Sequence, residues 1–571
     1  MKNKTKSTVV IVGAAAVIFT IVLLGVILIY KYSAPSSEQK DLNSLFKLKK
    51  EEVALVIDDK LLEERAKKID NGIYIPADIA AVYMDKRLYV DTVEKKLCYA
   101  TSDNVIIAKA DAKEYMIGRQ SHPVGQPVLK IDSQQFYISF SFIKEHASCY
   151  YKEYKNPSRL VIMSDREAKY TFAVLNSDTR VRTGPGKKYA YLTEVPEGGR
   201  VFVEKKVKQE NEYMAVRTED GVTGYIPLDR VEKRTEESWK FKKTPESFTQ
   251  LSAGETVCLG WHQVMNSTSS AVLPSSIEQT KGLNVLSPTW YALSDNSGNF
   301  TSLANASYVS QAHAKGLRVW GLINDFKQGL KLSKVLGVTS IRTKLINNLV
   351  ASAIQHDLDG INVDFEKVTK DNAAAYLQFL RELTLKCHAN DLLVSVDNYS
   401  PENYNAFYDL QEQGRIVDYV ILMAYDEHYS GDDESGSVSS LPFVERGVKN
   451  VLAKVPAERM ITALPFYTRL WKEVKGQKPK SEPYSMSGAE NIVRANNASP
   501  KWDEATGQYY AQYKSGGATC KIWMEEETSL KKKLQVVKKN NCAGVAFWKL
   551  GFERAVTWSM IQEQFPLSKT K

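Results

Sequence analysis

The pattern of apolar and polar positions divides the chain into stretches of different texture. Residues 8–30 form an unbroken apolar run of 23 residues with no charge. As a helix rising about 1.5 Å per residue, it reaches roughly 35 Å, enough to cross a ~30 Å hydrocarbon core with some tilt. Residues 31–50 are polar and rich in Lys and Ser, and read as a stalk. Over residues 51–166 short apolar runs alternate with turn residues. Strands are expected at 87–90, 105–108, 128–131, 135–139 and 159–163, with one helix after Ile75-Pro76. Residues 167–233 repeat the short-strand texture, and 234–253 are charged and Ser/Thr-rich, as in a linker. From 254 to 567 apolar strand-like runs alternate with helical patterns. Eight strands are expected, at 257–261, 283–288, 318–323, 360–365, 392–396, 419–423, 460–464 and 544–548. Ile341, Leu345, Leu349 and Ala353 mark one intervening helix. Eight strands in about 310 residues fit a (β/α)₈ TIM barrel better than a doubly wound open sheet. Residues 472–528 exceed an ordinary βα loop and read as a small α+β insertion.

Composition narrows the class. With 43% apolar, 10% aromatic and 25% charged residues in 571, the chain is neither disordered nor collagen-like. Six cysteines exclude a disulfide scaffold. A net charge of +9 is mild for this length and gives no reason to expect nucleic acid as a partner. Lys2, Lys4 and Lys6 precede the apolar run. Positive flanks stay cytoplasmic, so residues 1–7 are expected inside, 8–30 in the membrane and the rest outside. A cleaved signal peptide has an apolar core of about 7–15 residues followed by a small-x-small site. The longer run here, followed by Lys31-Tyr32, favours an uncleaved single-pass anchor.

The chemistry concentrates in Asp359-Gly360-Ile361-Asn362-Val363-Asp364-Phe365-Glu366. On a strand Asn362, Asp364 and Glu366 share one face, while Ile361, Val363 and Phe365 share the other and pack beneath helices. Three polar groups aimed into a barrel are costly to bury unless they serve a site. Asp364 and Glu366 have Cα atoms roughly 6.5–7 Å apart. Neighbouring carboxylates resist double ionisation, which suits a general acid at neutral pH. Glu366 falls at the carboxyl end of the expected fourth strand, where barrel active sites are built.

This segment resembles the D-x-x-D-x-D-x-E signature of glycoside hydrolase family 18, the chitinase-like barrels, and the resemblance extends over residues 255–565. Met423-Ala424-Tyr425-Asp426 after the sixth strand and Trp548 at the end of the eighth support it. The runs through Glu427-His428-Tyr429 and from Leu464 to Trp471 look like the wall- and spore-associated subgroup of Gram-positive bacteria, whose members act on peptidoglycan glycan strands. The resemblance implies a substrate-assisted retaining mechanism, in which the sugar's 2-acetamido oxygen is the nucleophile. It implies Glu366 as acid and base, Asp364 as orienter of the acetamido group and Tyr425 as donor to its carbonyl oxygen. Trp548 would be the apolar floor, Met423 and Asp426 would line the same subsite, and Asp359 and Gly360 would be structural. No cofactor is implied. Asn362 stands where the signature has its middle Asp. An amide can hold a hydrogen bond to Asp364 but cannot share a titrating proton, so the acid limb of the pH profile is expected to differ.

Other features carry less. Thr179 to Gly186, Tyr189, Tyr191, Gly198-Gly199 and Asp220 to Ile226 resemble a bacterial SH3-type barrel, whose members often bind wall peptides. Residues 51–166 resemble the small α/β domain at the start of copper amine oxidases, without its implying metal chemistry. Trp290 and Tyr291, after the second strand, and Tyr467 and Arg469, after the seventh, are candidates for sugar or wall-peptide contacts, with packing and ion pairing as the alternatives. Seven histidines lack metal-ligand spacing, so no metal is expected, and His428 stands beside the site. Spacing leaves open whether Cys98 pairs with Cys149 or Cys520 with Cys542. Basic clusters at 205–208 and 531–533 read as solvated faces. The expectation is a membrane-anchored exterior glycosidase acting on N-acetylglucosamine polymers, peptidoglycan foremost, with chitin hydrolysis or non-catalytic glycan binding as alternatives.

Overall fold

The computed structural model describes residues 2–566 except 59, 166, 205–210, 242–243 and 245. The basic cluster at 205–208 therefore lies outside the described residues. The chain folds as two compact units: one takes residues 87–109, 114–123 and 246 onward, the other takes the residues up to 86, 110–113 and 124–245.

The first unit is built on eight strands: β1 (Val257–His262), β2 (Val285–Pro288), β3 (Arg318–Asn324), β4 (Gly360–Asp364), β5 (Leu393–Tyr399), β6 (Tyr419–Met423), β7 (Met460–Pro465) and β8 (Gly544–Trp548). Each pairs in parallel with the next, and β8 pairs back to β1 from Val257↔Gly544 to Gly260↔Phe547, closing a barrel. All eight were legible, with ends within three residues of those expected. Strand alternation sorts the side chains. Trp261, Trp320, Leu322, Ile421, Ile461 and Ala546 fill the interior, so the barrel is a packed core rather than a pore. Ile361, Val363, Val394, Val420 and Leu422 face outward, into the layer shared with the helices. Gly360 is set by space: a Cβ there would lie 2.8 Å from the Leu393 carbonyl oxygen and 2.9 Å from the Trp320 ring.

Two outer helices, α1 (Thr339–Gln355) and α2 (Ala373–His388), tie the barrel to chain from well before it. Leu345, Leu349 and Ala353 form the buried face of α1, on the expected period. Its N-cap, Val338, supplies no side-chain cap. Asp91 does so from far away in sequence, accepting from the Thr339 amide at 2.6 Å and the Thr339 hydroxyl at 2.7 Å. Asp91 belongs to a five-stranded antiparallel meander spanning 88–123 that packs on α1 and α2. The Tyr89 hydroxyl donates to the Gly337 carbonyl, and the Cys98 thiol lies against Thr339 and Arg342. Arg342 is wholly buried and binds Glu382 through Nε at 2.9 Å and Nη2 at 2.8 Å. The region read as 51–166 is thus divided between the two units.

After β7 the chain forms a second antiparallel sheet, from Tyr467–Glu473 to Ala518–Met524, with helix Met486–Ala495 on it and a core of its own. It begins at Tyr467, before the 472 expected for the insertion, and ends at Met524. Cys520 lies in that core and Cys542 in the barrel–helix layer, and both are free thiols. The solvated-face reading of 531–533 fails at Lys533, which is buried and paired with buried Glu525.

The other unit contains a seven-stranded sheet built from residues 52–163 and a seven-stranded antiparallel sheet from 169–238. Its stalk segment is partly docked. Gln39 bridges to Tyr191, and Phe46, at the end of the short helix Leu42–Phe46, is fully buried. Leu42, Leu45 and Phe46 supply the apolar contacts that the Lys/Ser-rich composition masks. Helix Lys2–Ser33 includes one stretch, Ala14–Ser33, long and apolar enough to cross a membrane.

Candidate active site

Strand β4 places the motif. Asp359, just before it, accepts from the Val319 amide at 2.7 Å and binds His313 Nε2 at 2.9 Å, fastening the entry of β4 to β3. Asn362 and Asp364 then point inward, and Phe365 stacks outward on Phe379 of α2 at 5.5 Å. Glu366 follows on the turn leaving the strand. That turn is fixed from two sides. Asp325, past the end of β3, accepts the amides of Glu366 at 3.0 Å and Lys367 at 2.9 Å, and the Tyr408 hydroxyl donates to the Phe365 carbonyl at 3.1 Å. The acid therefore sits on a braced backbone rather than a loose loop.

The Glu366 carboxyl receives a hydrogen bond from the Tyr399 hydroxyl at 2.5 Å. Burial pushes its pKa above the usual carboxylate range. The Tyr399 bond opposes this, and the charges of Asp325 and Asp426 add to it. Asp364 is pushed further, first by burial and then by Asp397, Glu366 and Asp325. Two carboxyls that hold protons above their ordinary range at a barrel mouth are equipped for proton transfer. Tyr399→Phe removes a donor to the ionised form of Glu366. Its pKa should rise, and the alkaline limb of kcat/KM should move to higher pH, measured as a pH–rate profile beside wild type. A downward move would refute this role for Tyr399.

Asn362 is fully buried beneath this pair. Its Oδ1 accepts from Trp261 Nε1 at 2.9 Å and Ser287 Oγ at 3.1 Å, and its Nδ2 donates to Ser395 Oγ at 3.0 Å and Asp397 Oδ1 at 2.8 Å. The expected bond to Asp364 is absent, because the two donors fix the amide with its Nδ2 toward β5. The same saturation leaves it no free group for a sugar. Around the mouth, half-buried Trp548 packs on Trp261 with ring centroids 6.0 Å apart, and Tyr425 joins the same interior cluster. Met423 is buried below them. Asp426 accepts from the Tyr467 hydroxyl at 2.5 Å and lies 3.9 Å from Arg469 Nε. His428 pairs with Asp432 at 3.0 Å.

Trp290 is the exception. It is 2% exposed, set edge-on against Tyr308 in the layer outside the barrel, and Tyr291 is buried in the same layer. Neither lines the cleft: the chain turns after β2, with the Trp290 amide donating back to the Pro288 carbonyl at 2.9 Å, and both rings pack into that outer layer. Sequence reading missed Asp325, Asp397 and Tyr399. The alternation Ser395, Asp397, Tyr399 was a usable signal, but the fifth strand was expected to end at 396. Among the described residues no cluster of His, Cys, Asp or Glu has the makings of a metal site.

Residues 260–553, just over half of the chain, match the model of the glycosyl hydrolases family 18. The cortical fragment-lytic enzyme of Bacillus subtilis is 28% identical over 41% of this chain and 56% of its own length. That of Bacillus anthracis is 25% identical over 42% and 56%. The chain thus spans little more than half the length of these relatives. The solved structure of the Bacillus cereus spore cortex-lytic enzyme SleL superposes with a TM-score of 0.50 at 20% identity, covering 59% of this chain and 79% of that one. It bears on the fold alone.

Proposed function

The chain belongs to glycosyl hydrolase family 18, and on that premise we propose that it is a membrane-anchored exterior glycosidase. It hydrolyses β-1,4 bonds of N-acetylglucosamine polymers, peptidoglycan foremost. The observation that carries the reading is Glu366: a carboxyl on a braced turn, its pKa pushed up by burial, two residues after buried Asp364, with Tyr425 and Trp548 packed at the same end of the barrel interior. In the reaction the glycosidic C–O bond breaks as Glu366 gives its proton to the leaving oxygen. The acetamido oxygen bonds to the anomeric carbon, giving a cationic oxazolinium ring. Asp364 orients the acetamido N–H and faces that positive charge, Tyr425 donates to the acetamido oxygen, and Trp548 stacks under the sugar. Glu366, now a carboxylate, takes a proton from the water that opens the ring, and configuration is retained. Met423, Asp426, Tyr467 and Arg469 shape the same subsite.

The relatives named for lysing cortical fragments support a wall polymer over chitin. Residues 1–7 would be cytoplasmic and 8–30 the anchor. The sheet at 169–238 fits the SH3-type reading of 167–233. Its groove of about 1110 Å³, lined by Asp178, Arg180, Arg182, Glu194 and Tyr213, has the mixed charge that a wall peptide needs. The test is incubation of the protein with purified peptidoglycan and, separately, with chitin oligosaccharides, reading new reducing ends by mass spectrometry. New N-acetylglucosamine ends from peptidoglycan are expected. Cleavage of chitin oligosaccharides alone would move the substrate to chitin, and binding without cleavage would make the protein a glycan-binding one.

A further inference from the structure

We propose that Asp397 on β5 is the carboxyl partner of Asp364: it carries the pair's negative charge in the resting site and takes the proton of Asp364 when that group turns to the substrate's acetamido N–H. This rests on the glycosidase reading above and deepens it.

The register of β4 and β5 puts the two groups together. Asn362 lies opposite Ser395 and Val363 opposite Val396, so the next rung sets Asp364 beside Asp397, on the interior face of strands about 4.8 Å apart. Asp364 is 8% exposed and Asp397 3%. Among the described residues no Lys, Arg or His forms an ion pair with either. Two buried carboxyls at this spacing do not both ionise, so one proton is held in common. The donors decide where the charge rests. Trp261 and Ser287 fix the Asn362 amide so that Nδ2 donates to Asp397, while buried Oδ1 of Asp364 meets no donor. Burial and the charge of Glu366 push Asp397 up as well, but a hydrogen bond to the charged form favours that form, so within the pair the charge sits on Asp397 and the proton on Asp364. The family signature has a carboxyl at position 362, two residues below Asp364 on its own strand. Here that position is an amide, and a carboxyl lies one strand over.

The proton step balances. The O–H bond of Asp364 breaks and a new one forms on Oδ2 of Asp397. Asp364 is left anionic, able to accept the acetamido N–H and to face the cationic ring, while the charge of the pair is unchanged. The other titratable groups whose charges act on the pair are Glu366 from the end of β4 and Asp325 from the end of β3. Tyr376, Tyr399, Tyr408 and Tyr425 from α2, β5 and the loops after β5 and β6 feel the same carboxyls.

Asp397→Asn keeps the shape and removes the charge and the proton site. It is expected to lower kcat at least about tenfold. It should also move the acid limb of kcat/KM to higher pH: in wild type that limb is protonation of Asp397, the more acidic partner, whereas in the variant Asp364 itself must ionise before it can accept the acetamido N–H. The exchange variant Asn362→Asp/Asp397→Asn returns a carboxyl to β4 and should recover most of both. An unchanged pH profile in Asp397→Asn overturns the proposal. So does an exchange variant that folds normally, by an unchanged Tm, and recovers nothing. A second readout needs no substrate. In a Glu366→Gln background, which removes the other protonated carboxyl of the mouth, the infrared band of a buried carboxylic acid at neutral pH should vanish on adding Asp397→Asn and return in the exchange variant. A band that persists, where wild type cleaves the polymer, overturns the carboxyl pair. A wild type that cleaves neither polymer, with the band behaving as expected, overturns the glycosidase reading instead.

Discussion

Glu366→Gln is expected to lower kcat on the cleaved polymer by about 10³-fold, within the 10²–10⁴ range of a lost general acid. KM should stay within a few-fold of wild type. The amide keeps the size of the side chain and can still meet the Tyr399 hydroxyl. It has no proton of suitable acidity for the leaving oxygen and no basic oxygen for the incoming water, so both halves of the reaction suffer. Because Asp325 braces the turn through backbone amides, the variant keeps its geometry, and Tm should not change. Initial rates of reducing-end formation against substrate concentration give the result. A loss smaller than tenfold would mean that another group supplies the proton.

The second large effect lies far from the chemistry. Arg342→Ala should destabilise the barrel unit by about 3–5 kcal/mol, since it leaves Glu382 inside the protein without its cation. It also empties space beside Tyr89 and Cys98. Urea unfolding followed by tryptophan emission measures this. Replacing both partners with methionine should recover most of the loss, because neutral packing spares the desolvation of two charges. A single-variant loss below about 1 kcal/mol would show that the ion pair adds little to the hold of α1 on α2.

The contrast between these two residues explains what the sequence could reveal. Glu366 and Asp364 were legible because strand geometry ties them to one short segment, where alternation decides the facing of each side chain. The barrel strands were legible for the same reason. Asp397 and Tyr399 complete the site from the neighbouring strand, and their pairing with Asn362 and Glu366 exists only once register is set. Asp325 is a loop residue whose only mark is a position after a strand. Trp290 misled because an aromatic beside a strand end looks the same whichever way it points. The meander was least legible: Asp91 and Thr339 are 248 residues apart, and nothing local in either announces the other.

That long-range cap bears on what a single backbone cut would release. The barrel unit draws its chain from three stretches, two before and one after residues 124–245. A protease nicking the chain near residue 245 would sever the covalent path to the barrel, yet Asp91, Tyr89 and Cys98 would still be seated against α1 and Arg342. The two fragments would stay together under native conditions and separate only in denaturant. A nicked preparation should therefore migrate as one species on a sizing column and as two on a denaturing gel, with the barrel still held by the fragment that carries residues 88–123.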